Sequence, residues 1–261
     1  MLIQVINLLL TLIALSFSQI IIAPNHYSSA AGGETCVGLL VCQNFEGTGY
    51  DNGETWVEAG TPLPDEDATA TVLRGSQSLS IADGTGATYI VISSTGTIYA
   101  HWLYEVSDGT PIGNAVTMSM QTGTGLRWYI SHRTTGYLRV YNGTINVTGT
   151  TTLMADNTTY HIWGLYTPGT GANGVSTLWV GTSTARPGTA EATVTTGDAT
   201  TNIDRVYCQN VAAGDFTVLE DQVLVDDVEF TSVYAAMPQY EIYKDIVSAW
   251  EWFLNVSYAS R

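Results

Sequence analysis

Between residues 39 and 233 the chain is a succession of short apolar-alternating runs cut by Gly, Thr, Asn and Pro, and no stretch there keeps a helical period. Gly75-Ser-Gln-Ser-Leu-Ser-Ile81 alternates cleanly. Tyr89 to Ile92 follows, and then Thr97 to Val106, where Ile98, Ala100, Trp102 and Tyr104 share one side and Tyr99, His101, Leu103 and Glu105 the other. Ala115 to Gln121 groups Val116, Met118 and Met120. Leu126 to His132 sets Leu126, Trp128 and Ile130 inward and Arg127, Tyr129 and Ser131 outward. Thr134-Thr-Gly136 turns into Tyr137 to Tyr141, and Asn142-Gly143 is the strongest hairpin signal present. Thr159 to Tyr166, Ser176 to Val180, Ala192 to Thr195 and Ile203 to Cys208 continue the series. Strands that bury one face each need a second layer, and this many edges close only in a two-sheet antiparallel β-sandwich.

The run Val223-Leu-Val-Asp-Asp-Val-Glu-Phe230 reads as the closing strand, with Val223 and Val225 on one side and Leu224, Asp226, Val228 and Phe230 on the other. A carboxylate aimed into a core costs several kcal/mol unless it is paired, hydrogen-bonded or metal-bound. The opening run, Leu39 to Glu46, supplies Glu46 directly after Phe45. If the first and last strands pair, Glu46, Asp226 and Asp227 form a candidate site for structural calcium, an ion that favours oxygen ligands. The alternative is that the three carboxylates cap strand ends and accept backbone hydrogen bonds. Pro62 to Asp67 is a second acidic stretch, read as a solvated turn.

The chain has 261 residues, enough for one large sandwich, and its charged fraction of 12% with Lys244 as the single lysine suits an extracellular β protein. A formal charge of -16 excludes duplex nucleic acid as a natural partner and disfavours anionic membranes. Residues 1–23 are almost wholly apolar, and Ser16 and Ser18 fit a signal-peptidase site. The n-region lacks Lys and Arg, and the apolar run is long enough to span a bilayer, so an uncleaved anchor is the alternative to a secretion signal. Residues 24–38 are a polar spacer and 39–233 the sandwich. In the tail, 234–261, the stretch Gln239 to Leu254 places Ile242, Ile246, Val247, Trp250, Phe253 and Leu254 at helical spacing. This amphipathic helix either packs on the sandwich or docks on another subunit of a homo-oligomer. Cys36, Cys42 and Cys208 agree with an oxidising compartment; Cys42 has either Cys36 or Cys208 as partner, and one thiol is left over.

Several short motifs together resemble the LamG-like members of the concanavalin A-like lectin/glucanase superfamily. They are Asn44-Phe-Glu-Gly47, Gly75-Ser-Gln-Ser-Leu79, Thr159-Tyr-His-Ile-Trp163 followed by Leu178-Trp-Val-Gly181, and Val225-Asp-Asp-Val228. The resemblance implies a jelly roll. It also implies a setting in secreted adhesins or on phage tails and capsid surfaces, and the Phe-Glu opening and Asp-Asp-Val close look like calcium-stabilised carbohydrate-binding modules. Glucanases of the superfamily carry a Glu-x-Asp-x-x-Glu strand, and alginate-lyase members an Arg-rich strand with Gln-x-His; neither pattern is present. No Gly-x-Ser-x-Gly elbow or His-Glu-x-x-His site occurs either. The expectation is therefore that the chain is not an enzyme.

A binding reading rests on Arg127, Tyr129, Tyr137, Arg139 and Tyr141, which share the side of one hairpin opposite Leu126, Trp128, Leu138 and Val140. Tyrosine rings stack on sugar faces and arginine forks bond hydroxyls or carboxylates. The plainer reading is an ordinary exposed strand surface. His101, His132 and His161 fall on separate strands and are read as packed side chains. The expected function is a non-catalytic carbohydrate-binding or adhesion module, secreted or on a virion surface, with a polysaccharide or cell-surface glycan as partner. A structural surface protein without glycan binding is the alternative, and a polysaccharide-degrading enzyme the third reading.

Overall fold

The computed structural model describes residues 39–46, 49–50, 54–123, 125–170, 173–195, 202–212 and 216–233. The signal or anchor segment, the spacer up to residue 38 and the helix expected at 239–254 lie outside the described residues. Within them the chain forms the expected all-β antiparallel sandwich, with no helix. One sheet runs β13 (Ala192–Val194), β12 (Val175–Gly181), β11 (Tyr160–Thr167), β6 (Ile98–Val106), β15 (Val218–Asp226), β4 (Ser78–Ile81) and β3 (Asp65–Ala68). Its eighth strand, β1 (Val41–Gln43), pairs with the second half of β15, beyond β4. The other sheet runs β10 (Asn146–Leu153), β9 (Tyr137–Tyr141), β8 (Gly125–His132), β7 (Ala115–Thr122), β14 (Ile203–Ala212), β5 (Ala87–Thr95) and β2 (Trp56–Ala59).

The inward residues of the two sheets meet in one core. Trp102 of β6 and Trp128 of β8 stack across it, ring centroids 5.6 Å apart and planes 7° from parallel, both without solvent exposure. Such a pair adds offset-stacking energy to the area it buries. Gly164 of β11 makes room for it, since a Cβ there would sit 2.6 Å from Trp128 Cζ2. The Asn142-Gly143 turn joins β9 to β10 as expected, with Gly143 at φ +94° and Asn142 Oδ1 accepting from the backbone N–H of Thr144 and Ile145.

Local departures from the sequence reading have physical causes. A bulge between β7 and β8 sets Leu126 and Arg127 together against Gln121, so the strict alternation fails there and Leu126 is 37% exposed instead of inward. The closing strand begins at Val218, not Val223, and ends at Asp226, leaving Val228 exposed. Asp65–Ala68, which overlaps the stretch from Pro62 to Asp67 read as a solvated turn, pairs with β4 as an edge strand. β2 and β10 carry too little alternation to be found by period. Cys42 is in a disulfide and Cys208 is a buried free thiol, which excludes the Cys42–Cys208 pairing; Cys36 lies outside the described residues.

Candidate functional site

Antiparallel register places one row of side chains across the outer face of the seven-stranded sheet. Tyr141 pairs with Tyr129, Tyr129 with Ser119, Ser119 with Tyr207 and Tyr207 with Tyr89. The tyrosines stack as two pairs. The Tyr129 and Tyr141 centroids are 4.5 Å apart and those of Tyr89 and Tyr207 4.7 Å, each pair with a 25° tilt. Ser119 is the one small residue between them, and its Oγ accepts from Gln121 Nε2 at 2.9 Å and Gln209 Nε2 at 3.0 Å. Both glutamines and the serine are buried, so the gap between the ring pairs has a fixed polar floor. Partial burial and the neighbouring Tyr129 push the Tyr141 phenol up, while Arg127 acts in the opposite direction.

Three arginines flank the row. Arg127 on β8 and Arg205 on β14 stand to either side of Gln121, as Tyr129 and Tyr207 stand to either side of Ser119; Arg139 lies on the opposite flank, paired with Ser131. The Nε of each of the three is buried without a hydrogen-bond partner. Thus the structure keeps Arg127, Tyr129, Tyr137, Arg139 and Tyr141 on one outer face, half-buried, and adds Ser119, Gln121, Gln209, Arg205, Tyr207 and Tyr89. The added residues sit on β7, β14 and β5, far from the hairpin in sequence. Period-two alternation marks them as outward, but nothing local says that β14 inserts beside β7.

The proposed calcium ligands are not brought together. β1 and β15 do pair, but Val41 faces Val225, which sets Asp226 at one end of the pairing and Glu46 beyond the other. Glu46 instead accepts from Ser76 N at 2.9 Å and Ser76 Oγ at 2.7 Å. Asp226 accepts from Asp227 N at 2.8 Å, and partial burial raises its pKa. No cluster of three or more metal-ligating acids, histidines or cysteines occurs among the described residues. Glu220 and Asp221, a carboxylate pair whose spacing does not fit a glucanase strand, are fully buried. Glu220 lies wholly within the core beside the Cys208 thiol and is pushed well up by burial, and Asp221 accepts from Ser78 Oγ and Arg74 N.

The outer face of the eight-stranded sheet carries the histidines that the neighbouring strands β6 and β11 bring together. His101 Nε2 and His161 Nδ1 are 2.9 Å apart, and His101 Nδ1 donates to Gln222 O at 3.2 Å, so His161 donates to His101 and both rings are neutral. Burial holds His101 well below the usual range; burial together with Arg74 pushes His161 down to about 4. His132 is elsewhere, between Tyr104 OH and Gly109 O.

No family model and no curated protein matches this chain. Solved structures match its fold. A botulinum neurotoxin type C chain, described as interacting with two ganglioside molecules, aligns at TM-score 0.50 and 6% identity over 74% of this chain and 48% of its own. The present chain thus spans about half the length of that one. Cip1, a cellulose-induced protein, aligns at TM-score 0.52 and 14% identity, covering 73% of this chain and 99% of its own. An endo-β-1,4-glucuronan lyase from the fungus Trichoderma reesei aligns at TM-score 0.48 and 10% identity, covering 76% and 100%. The matches at TM-score 0.50 and 0.52 agree with the antiparallel β-sandwich fold. The expectation that the chain is not an enzyme is withdrawn: one fold hosts many unrelated functions, so the absence of glucanase and alginate-lyase patterns does not exclude catalysis.

Proposed function

We propose that this chain is a LamG-like glycan-binding module that acts outside the cell or on a particle surface and takes its ligand on the outer face of the seven-stranded sheet. The observation that carries the reading is the in-register row in which the stacked pairs Tyr129/Tyr141 and Tyr207/Tyr89 flank Ser119. Rings stacked across neighbouring strands lie face to face along the row, which turns the second faces of Tyr129 and Tyr207 toward the serine. Those rings rise from strands two spacings apart, roughly 9–10 Å. A sugar ring seated on this strip would meet aromatic groups on either side and the exposed edges of the Gln121 and Gln209 amides beneath. Stacking supplies affinity, and the amide floor supplies orientation. The ganglioside-interacting toxin chain of the same architecture agrees with a glycan ligand.

The test is a panel of oligosaccharides titrated into the full chain, read by calorimetry and, in the same samples, by release of reducing ends and by absorbance of unsaturated products. Saturable binding that Tyr129→Ala or Tyr207→Ala weakens at least tenfold supports the reading. Binding unchanged in both variants, or absent from every glycan tested, removes it. Product formation would add turnover to the same face.

A further inference from the structure

We infer that the glycan recognised on this face is acidic, a uronate whose carboxylate lies over Gln121 between Arg127 and Arg205. The inference rests on the glycan-binding reading above and adds the chemistry of the ligand. It starts from an imbalance. The chain carries 8 basic against 24 acidic residues, yet three of its seven arginines converge on one sheet face, and each of the three has a buried Nε–H that no protein acceptor satisfies. The enclosed Nε positions hold the half-buried stems in place, and the guanidinium ends are what an external acceptor reaches. Arg205 has partners of its own, Tyr207 and, 3.7 Å from its Nε, Asp204, whose Oδ1 also accepts from Gly123 N, whereas Arg127 and Arg139 have no acidic partner among the described residues.

Position narrows the ligand further. Arg127 and Arg205 are on the same two strands as Tyr129 and Tyr207, one pleat repeat along, so the guanidinium pair lies at one end of the aromatic gap. The bulge at Leu126 and Arg127 is what brings Arg127 level with Gln121. A pyranose held between the tyrosines would project a ring substituent along the strands toward that pair. A carboxylate on the ring fits there: it is planar, has four lone-pair directions, and matches a guanidinium fork. Arg139, on the other flank, then meets the carboxylate of an adjacent residue in the polymer. A neutral glycan would leave the Arg127 and Arg139 charges without an anionic partner.

The experiment uses the full chain and three probes of equal length: a β-1,4-linked oligoglucuronate, the same oligomer with its carboxyls reduced to alcohols, and a sulfated neutral glucan oligomer. The oligoglucuronate is expected to bind at least about tenfold more tightly than the reduced form, with affinity falling as salt rises. Arg127→Gln and Arg205→Gln should erase that preference while leaving residual binding, and Tyr129→Ala should weaken both ligands. Equal binding of the acidic and reduced oligomers overturns this inference and leaves the glycan face standing. Sulfated glucan bound as tightly as the uronate overturns the carboxylate assignment in favour of a site that reads charge alone. If no probe binds while the oligosaccharide panel yields a ligand, this inference falls alone; if the panel is silent too, the glycan-binding reading falls with it. The guanidinium variants are on the surface, so an unchanged melting temperature separates lost contacts from lost fold.

Discussion

On the outer face of the eight-stranded sheet, Trp163 and Leu224 pack with Phe230 and Val233, and His101 packs against Trp163, whereas on the seven-stranded sheet the tyrosines of the row stay half-exposed. The two surfaces start from similar material, aromatics and polar groups at period two. What separates them is the path of the chain after β15. It turns back along residues 184–186, where Val233 N donates to Thr184 O, Arg186 N donates to Thr231 O, and Ala185 bridges to Ser232. Arg186 stacks on Trp179 and pairs with Glu229, Phe230 packs at 5.7 Å from Trp163, and Val233 closes a second apolar cluster with Cys42, Trp163 and Leu224. On this side the aromatics are structural. On the other side the tyrosines stay half-exposed beside buried Ser119, Gln121 and Gln209, which is what the proposed ligand face rests on.

The largest expected effect tests that division. Trp163→Ala should destabilise the fold by roughly 3–5 kcal/mol, the range for removing a buried aromatic, while Tyr129→Ala should cost well under that and act on binding instead. Urea unfolding of both variants checks it, and equal losses would erase the distinction between the faces.

Glu220 sharpens the comparison from the core, which both faces share. Burial raises its folded pKa well above the unfolded value, so the folded state favours the proton. Its contribution is therefore most favourable below about pH 4.5 and declines as pH rises through the window up to the folded pKa. Glu220→Gln should stabilise the protein at pH 7 by roughly 1–3 kcal/mol, read as a higher urea midpoint. A variant less stable at pH 7 would mean that the carboxylate is satisfied in its charged form.

In that Glu220→Gln background the acid limb reports on the histidine face. His101 and His161 have lowered folded pKa values, His161 to about 4, so the unfolded chain takes up protons first. Stability is then full above about pH 6.5 and falls as pH drops from there toward 4. His161→Gln should flatten this slope with no effect on ligand affinity at pH 7. Loss of affinity would connect the two faces. The smallest effect expected is from a chelator: with Glu46 and Asp226 at opposite ends of the β1/β15 pairing, EDTA should leave the melting temperature unchanged, and a fall would restore a bound cation.

The alternation that runs from Ile98 to Val106 and from Tyr137 to Tyr141 already told inner from outer side chains, because a strand's period is two whatever its neighbours are. It therefore determined the fold class, much of the core, and the hairpin half of the candidate site: Arg127, Tyr129, Tyr137, Arg139 and Tyr141. It could not number the partners. A strand's sequence says which side is buried but not which strand lies beside it or in what register, since backbone hydrogen bonds are the same for every pairing. Only the tertiary structure decided that β14 inserts between β7 and β5, which completes the tyrosine row with Tyr207 and Tyr89 and adds Arg205, and that β6 neighbours β11, which joins His101 to His161. It also decided the fate of the carboxylates, because a register running Val41 to Val225 separates Glu46 from Asp226, and a strand starting at Val218 sends Glu220 into the core.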